Sequence, residues 1–260
     1  MACSKTQRRI RKELTERLAC SPASSELLAL DPLDVESLIR ICSDEQRGTE
    51  LRRVCAVVLG ALKTRKAVTV LLQNMWGDQP DLVLSSANAI MQIGSKSATG
   101  PLLRILCECP FPGNREAAAM VFKYVRDDRA VPTLRRTLAD KNEVPAVRFQ
   151  AADALAAWEP KRAIDAFLQA SLDEEPEVRW IASYGLAACG NDRAVAALKR
   201  LVNDSEAPAG METVGKHALE LLEALARRKS GRKRAVRVGV KRASGNSKTT
   251  RPAGRSRGVK

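Results

Sequence analysis

The sequence of 260 residues is poor in the residue types that build most catalytic centres. It contains one histidine, His217, and aromatic residues make up 3% of the chain. A serine or cysteine nucleophile would have to rely on this single histidine or on an unusual base. The seven cysteines include no C-x-x-C pair, so no zinc site with four ligands at suitable spacings is expected. We therefore expect a protein without catalytic activity, metal or cofactor.

Long apolar runs are also missing. No stretch approaches the roughly 20 consecutive apolar residues that a membrane-spanning helix requires. The beginning of the chain is highly charged, from Arg8 to Lys12, and lacks the apolar core of a secretory signal. An odd number of scattered cysteines does not form a disulfide framework. These features predict a cytoplasmic protein with reduced thiols and no membrane contact.

Five alanines recur at nearly constant intervals of 31 to 33 residues. A period of this size is typical of stacked helical repeats. Other positions recur with them: a small residue 11 positions earlier, usually an arginine 15 earlier, and a proline 18 earlier in four repeats. The alanines are Ala67, Ala98, Ala130, Ala163 and Ala194; the small residues are Ala56, Ala87, Ala119, Ala152 and Ser183; the arginines are Arg52, Arg115, Arg148 and Arg179; the prolines are Pro80, Pro112, Pro145 and Pro176.

Each repeat is predicted to contain two helices. In the fourth repeat Pro145 marks the start of the first helix, because proline is tolerated in a first turn. Leu155 and Trp158 then lie on one apolar stripe, and Ile164 and Phe167 begin a second stripe after a polar turn. A single helical pair cannot bury its own apolar face, so neighbouring pairs must stack. The sequence predicts an all-α solenoid of about six stacked helical pairs.

The chain divides into three predicted segments. Residues 1–48 supply degenerate capping helices, residues 49–226 form the solenoid, and residues 227–260 form a disordered basic tail. The whole chain has 44 basic and 30 acidic residues, a net charge of +14. All of this excess lies after residue 226, where the chain is rich in glycine and serine and has no acidic residue.

The predicted tail is expected to attract nucleic acid or an acidic partner, because it can neutralise phosphates or carboxylates. Such binding would allow association with a nucleoid or a nucleus. The tail residues assigned to this role are Arg227, Arg228, Lys229, Arg232, Lys233, Arg234, Arg237, Lys241 and Arg242.

Two further sets of charged residues recur with the repeats. We call the arginines that stand 15 positions before the alanines the arginine column. Three of them follow, by six to eight residues, an aspartate at the end of a second helix, and this spacing favours bidentate ion pairs between repeats. A second column, which we call the arginine ladder, lies two residues beyond the core leucines and is expected on the concave surface. It would bind an acidic protein partner; the alternative is an ordinary solvated helix face. The predicted pairs are Asp44 with Arg52, Asp140 with Arg148, and Asp173 with Arg179; the ladder is Arg40, Arg104, Arg136 and Arg200.

The pattern V-R-x-x-A-x-x-A-L followed by A-V-x-x-L and D is clearest from Val147 to Asp173 and from Val178 to Asp204. It resembles the short HEAT-like repeats of the phycobilin-lyase type, over residues 34–226. The resemblance implies an armadillo-like superhelix, and one function that it suggests is an auxiliary subunit of a bilin-attachment enzyme. The HEAT-like deoxyhypusine hydroxylases use repeated His-Glu pairs, which this sequence lacks.

The function predicted from the sequence is a non-catalytic scaffold that binds a protein partner on its concave face. The alternative is a nucleic-acid-associated protein. Within that alternative, HEAT-like alkylpurine glycosylases suggest a catalytic variant in which aromatic residues and one acid act together. The aromatic residues would be Trp158, Trp180 and Tyr184, and the acid would be Asp153 or Asp173.

Overall fold

A computed structural model describes residues 5–30 and 33–228, apart from the side chain of Arg17. Most of the predicted basic tail, from Lys229 onward, lies outside these residues. The described part is all-α, as the sequence predicts. Its helices are α1 (Lys5–Lys12, continued by a π-helical turn at Glu13–Arg17), α2 (Pro22–Leu28), α3 (Val35–Ser43), α4 (Thr49–Ala61), α5 (Val68–Asn74), α6 (Pro80–Ile93), α7 (Thr99–Glu108), α8 (Pro112–Val121), α9 (Val131–Ala139), α10 (Pro145–Trp158), α11 (Ile164–Ala170), α12 (Pro176–Cys189), α13 (Asp192–Leu201) and α14 (214–228).

Five helical pairs form the centre of the stack: α4/α5, α6/α7, α8/α9, α10/α11 and α12/α13. Four of the first helices begin at the predicted prolines, where the missing amide hydrogen has no intrahelical partner to lose. Gly94 and Gly190 end α6 and α12 with φ angles of 66° and 63°, a conformation that glycine adopts without strain.

The recurring alanines mark the second helices. In four repeats the alanine ends a short 3-10 turn, and the next residue begins the helix. In the fifth repeat α13 begins at Asp192, because the side chain of Asn191 caps it by accepting a hydrogen bond from the amide of Ala194 at 2.9 Å. All five alanines are completely buried.

The first helices pack directly against one another along the stack. The small residues predicted for this contact are all fully buried, as close helix approach requires. The approach is tightest between α4 and α6, where a Cβ on Gly60 would lie 2.6 Å from the Cα of Ala89. Phe122 and Phe167 are the largest of the completely buried side chains. The repeats therefore share one continuous core.

The C-terminal helix extends beyond the predicted end of the solenoid at residue 226. It follows an irregular segment, residues 202–213, and starts at residue 214. The amides of Val214 and Gly215 donate to the carbonyls of Glu206 and Asp204, each at 2.9 Å, and so the preceding loop fixes the start of the helix. At the other end α14 includes Arg227 and Arg228, so the predicted boundary at residue 227 falls inside a helix.

No helix in residues 5–30 or 33–228 has the length and apolar character needed to cross a membrane.

Candidate functional site: the second-helix face

The second helices α3, α5, α7, α9, α11 and α13 present one exposed long polar side chain each at equivalent positions. We call this surface the second-helix face. All four arginines of the ladder are exposed on it, and glutamines occupy the two intervening helices. From α3 to α13 the residues are Arg40, Gln73, Arg104, Arg136, Gln169 and Arg200.

Two ladder arginines contact the helical pair that precedes them. The guanidinium carbon of Arg104 lies 6.0 Å from the centre of the Trp76 ring, at the end of α5, in a cation–π arrangement. Arg104 also lies 3.4 Å from the carboxylate of Glu108, one turn along its own helix. Arg136 places Nη2 3.6 Å from the sulfur of Cys107 on α7. These contacts orient the guanidinium groups while they remain exposed to solvent.

A groove of about 380 Å³ lies between α9 and α11 on this face. Arg135 and Arg136 line it from α9, and Asp165 and Gln169 line it from α11. The Asp165 carboxylate accepts a hydrogen bond from Arg193 at 2.8 Å, so its charge is already partnered. The groove therefore offers two arginines to a ligand and suits a carboxylate better than an ammonium group.

The arginine column does not pair as predicted. Arg148 donates from Nε to the carbonyl of Leu138 at 3.1 Å, at the end of the preceding second helix. Both terminal nitrogens bind the carboxylate of Asp173, which follows the second helix of the same repeat; Nη1 lies 3.1 Å from Oδ1. Asp140, the predicted partner, instead accepts the amide of Asn142 at 3.0 Å. The predicted Asp140–Arg148 pair is therefore wrong.

Arg179 repeats this arrangement one unit later. It binds Asp204 at 2.7 Å and Glu206 at 2.5 Å, both beyond the second helix of its own repeat. Its contacts with Asp173 and Glu174 are to their backbone carbonyls, each at 2.8 Å. The predicted Asp173–Arg179 ion pair is therefore also wrong.

The first and third repeats complete the pattern. Arg52 donates to the carbonyl of Cys42 at 3.1 Å and to the side-chain oxygen of Asn74 at 2.8 Å, whereas Asp44 lies 3.4 Å from Arg47. The predicted Asp44–Arg52 pair is wrong too. Arg115 correspondingly binds Glu143 at 2.8 Å. The physical reason is local: aspartates such as Asp140 cap their own turns, and the arginines reach the turn at the end of their own repeat.

A partly buried aromatic cluster joins α12 to α14 and was not predicted. The ring of His217 stacks on Trp180 with 3.8 Å between centroids, and Phe149 lies beyond at 6.2 Å. Nδ1 of His217 is 2.9 Å from the hydroxyl of Ser183. Burial lowers the pKa of His217, with smaller opposing effects from Glu212 and Glu220. The feature of the sequence that could have indicated this cluster is Trp180, an aromatic residue at a position where the repeat pattern does not require one.

Ser183 and His217 are both buried where they meet. Ser183 is completely buried, and its hydroxyl also donates to the carbonyl of Trp180 at 2.6 Å, so a substrate cannot reach it. Other residues considered for chemistry also have packing partners. Trp158 donates to the carbonyl of Phe122 at 3.0 Å, and Asp153 binds Lys123 at 2.7 Å. Among the described residues no group of three or more His, Cys, Asp or Glu side chains could hold a metal ion.

The geometry defines an α-solenoid of helical repeats with a polar second-helix face. The family model described as HEAT repeats matches residues 99–166 and 142–214. Residues 99–214 are therefore similar to HEAT repeats, in agreement with the resemblance in the sequence.

Several solved structures are similar to this chain. The Escherichia coli protein YibA is 18% identical, with 83% of this chain and 81% of that chain covered and a TM-score of 0.50. The CpcE–CpcF complex of phycocyanin lyase from Nostoc sp. PCC7120 is 18% identical over 86% of this chain and 96% of that chain, with a TM-score of 0.45. A designed armadillo repeat protein in complex with the peptide (KR)4 is 18% identical over 85% and 100%, with a TM-score of 0.46. No curated protein matches the chain.

Proposed function

We propose that the protein is a non-catalytic scaffold that binds an acidic segment of a partner protein on its second-helix face. The observation that carries this proposal is the arginine ladder, in which four of six second helices present an exposed arginine at equivalent positions. The stacked repeats of a solenoid create an extended surface for such binding, and the second helices are expected to line its concave side.

The spacing of the ladder selects the conformation of the ligand. Packed helices lie roughly 8–10 Å apart, so Arg104 and Arg136 on neighbouring second helices follow at about that interval. An extended peptide rises about 3.3 Å per residue, and three residues therefore span one repeat. We expect the bound segment to be extended, with acidic side chains at every third position. The groove beside Arg136 and the ring of Trp76 beneath Arg104 provide the adjoining contacts.

The absence of a catalytic role is part of the proposal. His217 is buried against Trp180, and the hydroxyl nearest to it is inaccessible. The side chains of the arginine column bind groups at the ends of second helices and so connect neighbouring repeats. Exposed guanidinium groups suit the recognition of carboxylates through charge-assisted hydrogen bonds.

The test uses two fluorescent twelve-residue peptides of identical composition. In one, glutamate stands at every third position; in the other, the four glutamates are consecutive. Anisotropy titration of the full chain should show tighter binding of the spaced peptide, because its carboxylates match the repeat interval. Arg104→Glu combined with Arg136→Glu should abolish that preference, while the free energy of unfolding changes by no more than about 0.5 kcal/mol.

A matched control reverses two exposed basic residues in the turns inside the repeats, Arg126→Glu and Lys161→Glu. It makes the same change in net charge and keeps the basic tail intact. The control should retain the preference for the spaced peptide. Equal affinity of the wild type for both peptides would contradict the proposal, because a tail binding by charge alone does not distinguish these spacings. An unchanged preference in the ladder variant would also contradict it.

A further inference from the structure

The turns that join the two helices within each repeat form one continuous edge of the solenoid. Arg129 of the third repeat donates to the carbonyl of Lys96 in the second at 3.4 Å. Arg162 of the fourth repeat lies 3.2 Å from the carboxylate of Asp128 in the third. The turns of the second, third and fourth repeats therefore touch. We call this surface the turn edge; it comprises residues 62–66, 94–97, 122–129, 159–162 and 190–193.

Charge is segregated between this edge and the opposite one. The turn edge contains ten basic and four acidic residues, an excess of six positive charges. The loops that join successive repeats contain twelve acidic and two basic residues, although the arginine column partly neutralises them. These loops are residues 44–48, 75–79, 108–111, 140–144, 172–175 and 202–213. A solenoid that is neutral as a whole thus has one basic edge.

Several basic side chains of the turn edge are free to bind a ligand. Lys66 lies 2.8 Å from Glu36, and the guanidinium of Arg129 binds Asp127 at 2.6 Å, so these charges are partnered. Five others are exposed and have no side-chain hydrogen bond or ion pair with any described residue. Lys63 and Arg65 lie in the turn of the first repeat, and Lys96, Arg126 and Lys161 lie in the turns of the next three repeats.

An exposed aromatic side chain lies among these charges. Tyr124 is 57% exposed and stands two residues before Arg126 in the same turn. Tyr184, on α12, is also exposed. Basic residues beside exposed aromatic rings are what single-stranded nucleic acids bind.

We propose that the turn edge binds single-stranded nucleic acid, with phosphates along Arg65, Lys96, Arg126 and Lys161 and a base stacked on Tyr124. A row of basic side chains that follows the stack over four repeats matches a linear polyanion better than a compact anion. A single strand is favoured over a duplex because its bases are free to stack on a tyrosine ring. This interaction uses a surface and a partner different from those of the proposed peptide-binding face.

The experiment measures binding of the full chain to a 20-nucleotide strand labelled with fluorescein, and separately to one containing 2-aminopurine. Arg126→Glu with Lys161→Glu should weaken binding at least tenfold at fixed salt. It should also reduce the slope of log affinity against log salt by roughly 1.4, because each phosphate contact on a single strand contributes about 0.7. The ladder variant, Arg104→Glu with Arg136→Glu, carries the same change of charge and should retain most of the affinity and the slope.

Tyr124→Leu tests the stacking contact. It should remove most of the quenching of 2-aminopurine and weaken binding roughly tenfold, within the range found for loss of one stacked base. Circular dichroism and urea unfolding establish that each variant is folded. Should the charge-reversal variant fail to fold, Arg65→Gln with Lys96→Gln provides the same measurement on two other exposed residues.

Four results would overturn the proposal. An unchanged slope of log affinity against log salt in the turn-edge variant would indicate that the strand binds to the basic tail instead. Equal weakening by the turn-edge and ladder variants would indicate an unspecific effect of charge. If 2-aminopurine were still quenched in Tyr124→Leu, the base would not be stacked on this tyrosine. Binding to vesicles containing phosphatidylserine without binding to the strand would identify a lipid surface as the partner. None of these results depends on the peptide measurements, so the two proposals fail independently.

Discussion

Arg148 on α10 and Asp173 beyond α11 form a buried ion pair, with side chains only 4% and 6% exposed. The guanidinium also binds the carbonyl of Leu138, so one side chain connects the ends of α9 and α11. Burial alone would raise the pKa of Asp173, but its hydrogen bonds to Arg148 and to the amide of Glu175 hold that pKa below its usual value. The pair therefore ties consecutive repeats together.

Removing the cation should destabilise the protein strongly. We expect Arg148→Met to lower the free energy of unfolding by about 3–5 kcal/mol, because it leaves a buried carboxylate without its partner. Urea unfolding at neutral pH measures this change. The control is Lys141→Met, which removes an exposed pair with Glu174 and should change stability by about 0–1 kcal/mol. Similar losses in the two variants would contradict a special role for the buried pair.

The sequence predicts the helical pairs well because their signals are local. A proline such as Pro145 and a left-handed glycine such as Gly190 act within one turn, and the anchor alanines need only a regular period. Which side chains pair between repeats is not a local property of the sequence. Arg148 binds Asp173, 25 residues later in the chain, and not Asp140, eight residues before it, because the packing of α10 against α9 and α12 decides which turn its side chain reaches.

The candidate site could be predicted only in part. Exposure of Arg104 follows from its place in the repeat, but its position over Trp76 depends on the offset between neighbouring pairs. The basic turn edge is visible in the sequence only when the limits of every helix are known, since its charges are scattered over five separate turns. The contact of His217 with Trp180 depends on where α14 begins, which the repeat pattern does not fix.

The close contact between α4 and α6 gives a second prediction. We expect Gly60→Ala to lower the free energy of unfolding by about 1–3 kcal/mol, because the new methyl group would meet the backbone of Ala89 and must push the helices apart. Gly113→Ala is the matched control. Gly113 lies in the first turn of α8 with nothing within 4 Å of an added Cβ, so alanine should stabilise the helix by up to about 1 kcal/mol. A melting temperature that rises in both variants would show that α4 and α6 are not in tight contact.

Acid should destabilise the solenoid through the carboxylates of the inter-repeat turns. Burial alone would raise the pKa of Asp204, but hydrogen bonds from Arg179 and the Glu206 amide lower it below 3.8. The unfolded chain then binds more protons than the folded one as the pH falls below about 4, and stability is lost in that range. Urea unfolding from pH 5 to pH 2.5 should show this loss, with a shallower slope for Asp204→Asn. Parallel slopes would contradict the assignment.

The last prediction concerns the contact between α12 and α14. His217 is buried against Trp180, and burial lowers its pKa below the ordinary 6.5. The unfolded state therefore takes up a proton at a higher pH than the folded state does. Stability should be complete above about pH 7.5 and should fall as the pH drops through 6.5 towards the lower pKa of the folded protein. Urea unfolding between pH 7.5 and pH 5.5 measures this dependence.

His217→Gln isolates the contribution of the imidazole, because glutamine does not titrate in this range. The variant will have a different absolute stability, since it loses the ring stacked on Trp180, so the comparison rests on the slope with pH. We expect a clear slope in the wild type and a nearly flat profile in the variant. Glu212 and Glu220 act on His217 but are unchanged in both proteins, so they cannot produce the difference. Equal slopes would mean that the histidine is accessible to protons in the folded state and that α14 does not bury it.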